Sequence, residues 1–441
     1  MTVIDRVDAA ATPSPPDASL RPASAVRLRF VGHRGDYWRL MIRGGVLQAI
    51  TLGIYRFWLF TDMRRFLWAA TEVEGETLEY TGTPVELLIG FLLAIGILVP
   101  VYALLFVASL QFGILSRLSG LVAVVVLAGF GQYAAYRARR YRLTRTVFRG
   151  LRFHQSGSPV RYALRAMLWW IPVGMTLGLA SPWATANLER YKMRNTFYGN
   201  LGGSFAGSAG RLFGRGILIW LLVVVPLGTA LAAAVAVIDW PALMQALGRD
   251  DVADLADALN ALQGVNLWLG LELLVSGVTW AMLAAIVLYP AYQAIAMRWW
   301  LGGLRLGGAA VASDLRMRRY YFAYLRYLLY VVLFSIAFVA VGGAAIVLAR
   351  IPGGMRGQVD FSDMSLWRNG VVLGSAIVAY VIYILGVSTI YQVVVKMRLW
   401  QVAAESILIS GIAALDHVQA GDATSSAVGE GLADALGTGA I

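Results

Sequence analysis

Residues 87–108 read LLIGFLLAIGILVPVYALLFVA, a run of 22 positions without a single charge. An α-helix needs about 20 apolar residues to cross ~30 Å of hydrocarbon, so this stretch predicts a spanning helix. Working outward along the chain, residues 118–136, 217–238 and 371–395 have the same character. The composition agrees, at 59% hydrophobic and 14% charged with a mean hydropathy of +0.67. A soluble domain carries roughly 25% charged residues, so water is not the solvent for most of this surface.

The residues just ahead of the first run show how it is entered. Thr83 can cap the helix and Pro84 occupies its first position, where a missing N–H costs nothing. Thr83 and Glu86 form a T-x-x-E capping box, which makes Glu86 structural and not catalytic. Ser158 and Pro159 repeat the arrangement. Upstream of each such turn lies a basic, aromatic helix end followed by a short alternating segment. The pattern occurs at 64–84 (RRFLWAATEVEGETLEYTGTP), 139–159 (RRYRLTRTVFRGLRFHQSGSP), 190–210 (RYKMRNTFYGNLGGSFAGSAG) and 298–313 (RWWLGGLRLGGAAVAS), with a degenerate fifth copy at 396–411. Residues 26–35 (VRLRFVGHRG) match its second half. Self-similarity of this kind reads as an internal repeat. Alternation of Val26, Leu28 and Phe30, and of Leu151 and Phe153, with arginines between them predicts half-buried strands, forming a small cytoplasmic sheet or a ring of hairpins.

The net charge is +12, and of 37 basic residues only Lys192 and Lys396 are lysine. The arginines cluster just beyond the apolar runs, as at Arg137, Arg139, Arg140, Arg142 and Arg145. That is the positive-inside pattern of a membrane protein, and it disfavours nucleic acid as the partner. Two further segments, 37–58 and 162–183, share T-L-G-x-x-x-x-W: Thr51, Leu52, Gly53 and Trp58, then Thr176, Leu177, Gly178 and Trp183, with Pro182 in the second. If both crossed the bilayer, the basic segments flanking 162–183 would face opposite sides. Re-entrant or interfacial helical hairpins remove that conflict, since irregular backbone is tolerated where protein buries it.

The expected fold class is an all-α polytopic membrane protein with about six transmembrane helices, two re-entrant or interfacial helical segments and short cytoplasmic β-hairpin segments. The spans pair as 87–108 with 118–136, 214–238 with 265–295 and 323–349 with 370–395. Both termini are then cytoplasmic, and 239–264 and 350–369 are the larger outer loops. Residues 1–25 read as a disordered tail, 26–412 as the membrane domain and 413–441 as a flexible tail, because both ends lack apolar periodicity.

Several of these residues carry a resemblance. Phe30-x-Gly32-x-x-Gly35-x-Tyr37, Thr51-Leu52-Gly53-Ile54-Tyr55-x-x-Trp58, Arg64-Arg65-Phe66 and Gly75-x-x-Leu78-x-Tyr80-x-Gly82-Thr83-Pro84 resemble the YjgN family of bacterial inner-membrane proteins, whose function is unknown. The second copy, with Ser181-Pro182-Trp183, Tyr198-Gly199-Asn200 and Phe205-x-Gly207, is more similar still. The first copy has Arg56-Phe57-Trp58 in place of S-P-W, and the last two copies lack T-L-G. The resemblance spans about 27–404 and implies an inner-membrane location and helical architecture, but no substrate.

No enzyme is expected. Cysteine is absent, the histidines His33, His154 and His417 lie far apart, and no G-x-S-x-G, Walker loop or metal-ligand spacing occurs. Neither a metal nor a cofactor is implied. Charge within apolar runs is costly and therefore informative: Glu272 is the acid well inside a span, and Arg43 lies in the first T-L-G segment. Pro100, Pro226 and Pro290 would kink three spans. The sequence supports two readings and leans to the first. One is a transporter or channel for a small solute or lipid, with Glu272, Arg43 and the two T-L-G breaks around a central site. The other is a non-transporting scaffold or regulator whose basic face binds a partner protein or anionic lipids through Arg139, Arg140, Arg142, Arg145, Arg318 and Arg319. The expected partners are the lipid bilayer and its anionic lipids, with a second copy or another membrane protein left open.

Overall fold

The computed structural model describes residues 25–111, 113–247, 266–350, 366–416, 418 and 419. The expected tail 1–25, except its last residue, and most of the expected loops 239–264 and 350–369 lie outside them. Six helices are long and apolar enough to cross a membrane: Pro84–Val107, Gly120–Thr144, Ala209–Val237, Leu267–Gly303, Met317–Ala344 and Gly374–Glu405. They fall on the six expected spans. Their outer surfaces are apolar, with Leu92, Leu104, Leu218, Ile286, Leu325 and Val339 all more than half exposed, as suits helices solvated by lipid.

The chain leaves one end of the molecule and returns to it repeatedly. It goes out along α1 (Arg34–Ile50) and back along α2 (Arg56–Ala69). The next excursion is α3 (Pro84–Gln111) and α4 (Gly113–Thr144), followed by α5 (Pro159–Met175) and α6 (Ser181–Arg194). Then come α7 (Ala209–Val237), the short α8 (Trp240–Leu247) and α9 (Leu267–Gly303). The last is α10 (Met317–Arg350) with α11 (Leu366–Ile390), which continues through a π-helical turn, Tyr391–Lys396, into α12 (Met397–Glu405). Each long helix packs on the next, and α11 packs on α1, so the helices close a circle.

At the common end, every return helix runs into a short strand. The strands are β1 (Val26–Arg27), β2 (Arg29–Phe30), β3 (Thr71–Val73), β4 (Glu76–Thr77), β5 (Glu79–Tyr80), β6 (Thr146–Phe148), β7 (Leu151–Gln155), β8 (Thr196–Tyr198), β9 (Leu201–Phe205), β10 (Leu304–Leu306), β11 (Ala309–Ser313) and β12 (Ile407–Ser410). Nine pair antiparallel in the order β1-β12-β11-β10-β9-β8-β7-β6-β5, and three as β2-β3-β4. Only Leu28 separates β1 from β2 and only Leu78 separates β4 from β5, and both keep the pairing: Leu28 N–H donates to the Ile407 carbonyl at 3.2 Å and Leu78 N–H to that of Thr71 at 3.1 Å. Residues 26–30 and 76–80 therefore bend from one sheet into the other, and the two sheets join into a closed ring with no free edge.

Segments 64–84, 139–159, 190–210 and 298–313 each fold as helix end, strand, turn and strand. Segment 298–313, although it lacks T-L-G, forms its hairpin from β10 and β11. Segment 396–411 supplies one strand, β12, whose neighbours are β11 and β1. The expected caps form: Glu86 N–H bonds Thr83 Oγ1 and Arg161 N–H bonds Ser158 Oγ, both at 3.4 Å. Glu86 does not reach back to close a capping box; its carboxylate takes bonds from Tyr141 and Arg145.

The ring is filled by apolar side chains. Leu28, Val73, Phe148 and Tyr198 are buried together with Ile412, and Leu415 and Val418 pack against them. These last three lie beyond β12, so packed chain extends past the boundary expected at 412. A 3-10 turn, Ile412–Leu415, carries the chain across the ring. Asp416 then bonds Arg149 at 2.8 Å, and Gln419 exchanges backbone and side-chain hydrogen bonds with Asn200. The sequence hid this because beyond 412 only Leu415 and Val418 pack into the ring, too few to make a periodic apolar pattern.

Candidate functional site

The two T-L-G elements are the corners of helical hairpins. Leu52 and Gly53 sit at φ of 51° and 92°, and Leu177 and Gly178 at 49° and 93°. A glycine at such φ carries no steric penalty. Gly53 N–H reaches back to the Gln48 carbonyl at 2.8 Å and Gly178 N–H to that of Val173 at 2.7 Å. Thr51 Oγ1 donates to the Leu47 carbonyl and accepts from Tyr55 N–H; Thr176 Oγ1 does the same with Pro172 and Ala180. One hydroxyl thus ends one helix and starts the next. The 17-residue α1 and α5 reach about 25 Å, and each hairpin starts and ends at the ring. Leu52 is 93% exposed at one tip. Trp58 is half-buried and stacks on Tyr55; Pro182 sits in the first turn of α6, and Trp183 packs on Phe213.

The two candidate intramembrane charges are not brought to a common cavity. Glu272 is exposed on α9 and Arg43 is exposed on α1. Most of the arginines expected to meet lipid have partners in the protein. Arg139 reaches Thr196 Oγ1 at 3.5 Å, Arg140 bonds the Gly157 carbonyl, Arg145 bonds Glu86, and Arg142 is half-buried on the same helix end. They brace the junction between helix and strand. Arg318 is exposed. Arg149, in the β6–β7 turn, holds Glu74 at 2.7 Å and Asp416 at 2.8 Å, with Glu76 at 3.6 Å. Burial disfavours its charge, but these acids outweigh that and hold its pKa above the ordinary value. Glu189 is buried and bonds Lys192 and, at 3.1 Å, Trp300 Nε1.

Arg319 leads elsewhere. It lines a groove of about 230 Å³ between α1, α10 and the π-helical stretch with α12, together with Arg34, Arg326 and Arg398. Arg398 stands against the charges of Arg34, Arg326 and Arg319, and Glu405 is the acid that acts on it. Glu405 is 3.7 Å from Arg319 and accepts from Gln401 at 2.7 Å, while Gln401 accepts from Arg398 at 2.7 Å. Among the described residues neither Arg34 nor Arg326 has a carboxylate in ion-pair range. The other wall is apolar and aromatic, made by Trp38, Phe322, Tyr330, Val393, Val394 and Met397. Such a surface can hold an anionic head group against guanidinium forks and an aliphatic chain against the wall.

The matching family covers nearly all of this architecture, residues 25–435, and is described as a bacterial protein of unknown function, DUF898. The chain belongs to that family. It is the YjgN family, which the T-L-G and S-P-W motifs resemble. No curated protein and no solved structure matches the chain. For this DUF898 member, three of the four groove arginines were absent from the sequence expectation. One signal was there: Arg319, Phe322, Ala323, Arg326 and Tyr330 fall at i, i+3, i+4, i+7 and i+11, one face of a helix. Arg34 and Arg398 had no such signal, because 364 residues of sequence number separate them.

Proposed function

We propose that this DUF898 protein is a bacterial inner-membrane protein that binds anionic lipid at the arginine groove and acts as a non-transporting scaffold or regulator. The observation that carries this reading is the convergence of Arg34, Arg319, Arg326 and Arg398 beside an aromatic and aliphatic wall. Basic pockets between membrane helices suit anionic head groups. The arginines of the helix ends gather at the ring, which favours a cytoplasmic ring and, with residues 25 and 419 both there, cytoplasmic termini. The T-L-G hairpins are then re-entrant from that side, and the four helix-and-hairpin segments, with 396–411 as a degenerate fifth, are copies of one repeat unit. To test the reading, the full-length protein is purified with its native lipids, and bound anionic lipid is counted. Arg326→Ala with Arg398→Ala should strip it; unchanged retention sinks the reading.

A transport role is the second reading. It is favoured by a polar ladder between α9 and α10, where Tyr324 OH donates to Gln293 Oε1 at 2.6 Å and Gln293 Nε2 to Tyr289 OH at 2.7 Å. Polar side chains bonded across membrane helices are a feature of solute pathways, and here Gln293 and Tyr324 are half-buried. The filled ring and the exposed position of Glu272 weigh against a conduit that ends at the ring. Solute flux in proteoliposomes that falls in Gln293→Leu would favour transport over the scaffold.

A further inference from the structure

We infer that the arginine groove selects a phospholipid carrying two phosphodiester groups on one head, in preference to a lipid with one. This rests on the anionic-lipid reading above and assigns the class of lipid. Charge is the first argument. Four arginines line the groove, and Glu405 lies 3.7 Å from one of them, Arg319. Like charges at such a site repel one another: four arginines less Glu405 leave a charge of +3, which one phosphodiester lowers to +2 and two lower to +1.

Geometry is the second. Arg319 and Arg326 leave the same face of α10 two turns, about 10 Å, apart. Arg34 approaches from α1 and Arg398 from α12, across the groove. A guanidinium fork grips phosphate in bidentate fashion, and four forks from three elements make two cradles more readily than one. A short glycerol bridge between two phosphodiesters matches a pair of cradles displaced along a helix.

The third argument separates a lipid from free phosphate. The arginines sit beside Trp38, Val394 and Met397 and open past Phe322 and Tyr330, which are 59% and 46% exposed on the apolar flank of α10. Burying acyl chain there adds to the head-group contacts, and a soluble anion gains nothing from that wall.

The test uses the full-length protein in nanodiscs of neutral phosphatidylcholine doped with cardiolipin or with phosphatidylglycerol at equal total phosphate. Lipid retained after exchange into detergent is read by native mass spectrometry. The expected result is about tenfold greater retention of cardiolipin, falling about fivefold or more in Arg326→Gln and in Arg398→Gln, as loss of a charged fork implies. Arg215→Gln, exposed on α7 and outside the groove, should leave retention unchanged, and melting in pure phosphatidylcholine should show that all variants fold. Equal, arginine-dependent retention of both lipids overturns the two-phosphate inference and leaves the anionic-lipid reading standing. Retention of neither, or retention indifferent to the arginines, overturns both. Displacement of cardiolipin by millimolar inorganic phosphate shows a free-anion site and likewise overturns the inference.

Discussion

Trp400 donates its indole N–H to Thr71 Oγ1 at 3.0 Å, a hydrogen bond between residues 329 positions apart. Trp68 makes the same bond to Thr146, also at 3.0 Å, and stacks on Trp400 with centroids 4.8 Å apart. Each threonine opens a strand and also donates to the carbonyl four residues back, in the helix that precedes it. The hydroxyl therefore joins the end of one helix to the aromatic of the neighbouring unit, and at Thr71 it closes the circle between the last unit and the first.

Thr71 is 2% exposed, so Thr71→Val should strand the Trp400 N–H in an apolar site. The expected loss is about 1–3 kcal/mol, read as a lower melting temperature in detergent, with Thr71→Ser restoring most of it. A variant that melts like the parent would show that the closing bond contributes nothing net.

The strap beyond β12 passes so close to Gly199 that a Cβ there would lie 2.2 Å from the Gln419 carbonyl oxygen and 2.4 Å from Val418, at a φ of +53°. Gly199→Val should therefore lift the strap off the ring. Limited proteolysis should then cut within 412–419 faster than in the parent, while Gly202→Ala, whose Cβ meets only ordinary contacts, should leave cleavage unchanged.

Both T-L-G corners need a left-handed glycine. Gly53→Ala and Gly178→Ala should each cost about 1 kcal/mol or more. The hairpins stand on opposite sides of α3 and α4, so the double variant should show near-additive losses. Thr176→Val removes a hydroxyl that serves two helix ends and should cost about 0.5–2 kcal/mol; equal melting of parent and variant would remove it from the corner's design.

His154 in β7 stacks on Phe197 at 5.0 Å, and burial pushes its pKa down. As pH falls below about 6.5, the unfolded chain takes up this proton before the folded one does. Stability should thus decline between pH 7 and 5, and His154→Phe should flatten the decline. An identical pH profile in the variant would place the acid sensitivity elsewhere.

Much of this architecture was written locally. The long apolar runs around 87–108 and 371–395, the caps at Thr83 and Ser158, and the alternation of Val26, Leu28, Leu151 and Phe153 each depend on neighbours within a few turns. Their outcome follows from helix length, capping and the two-residue period of a strand. The breaks at Gly53 and Gly178 were legible for the same reason, although only the folded chain shows that both corners share one geometry.

What composition and periodicity determined by themselves was a helical membrane protein with six spanning segments, two interrupted ones and hairpin strands between them. Tertiary structure alone decided that the strands close on themselves, that Ile412, Leu415 and Val418 fill the ring, and that Arg139, Arg140 and Arg145 brace the helix ends. It also decided that Arg34, Arg319, Arg326 and Arg398 share one groove. The physical reason is range. Hydrophobic periodicity records what each residue meets along its own helix or strand, whereas ring closure brings α1 and α11 together, and no local pattern encodes which distant charges will then share a groove.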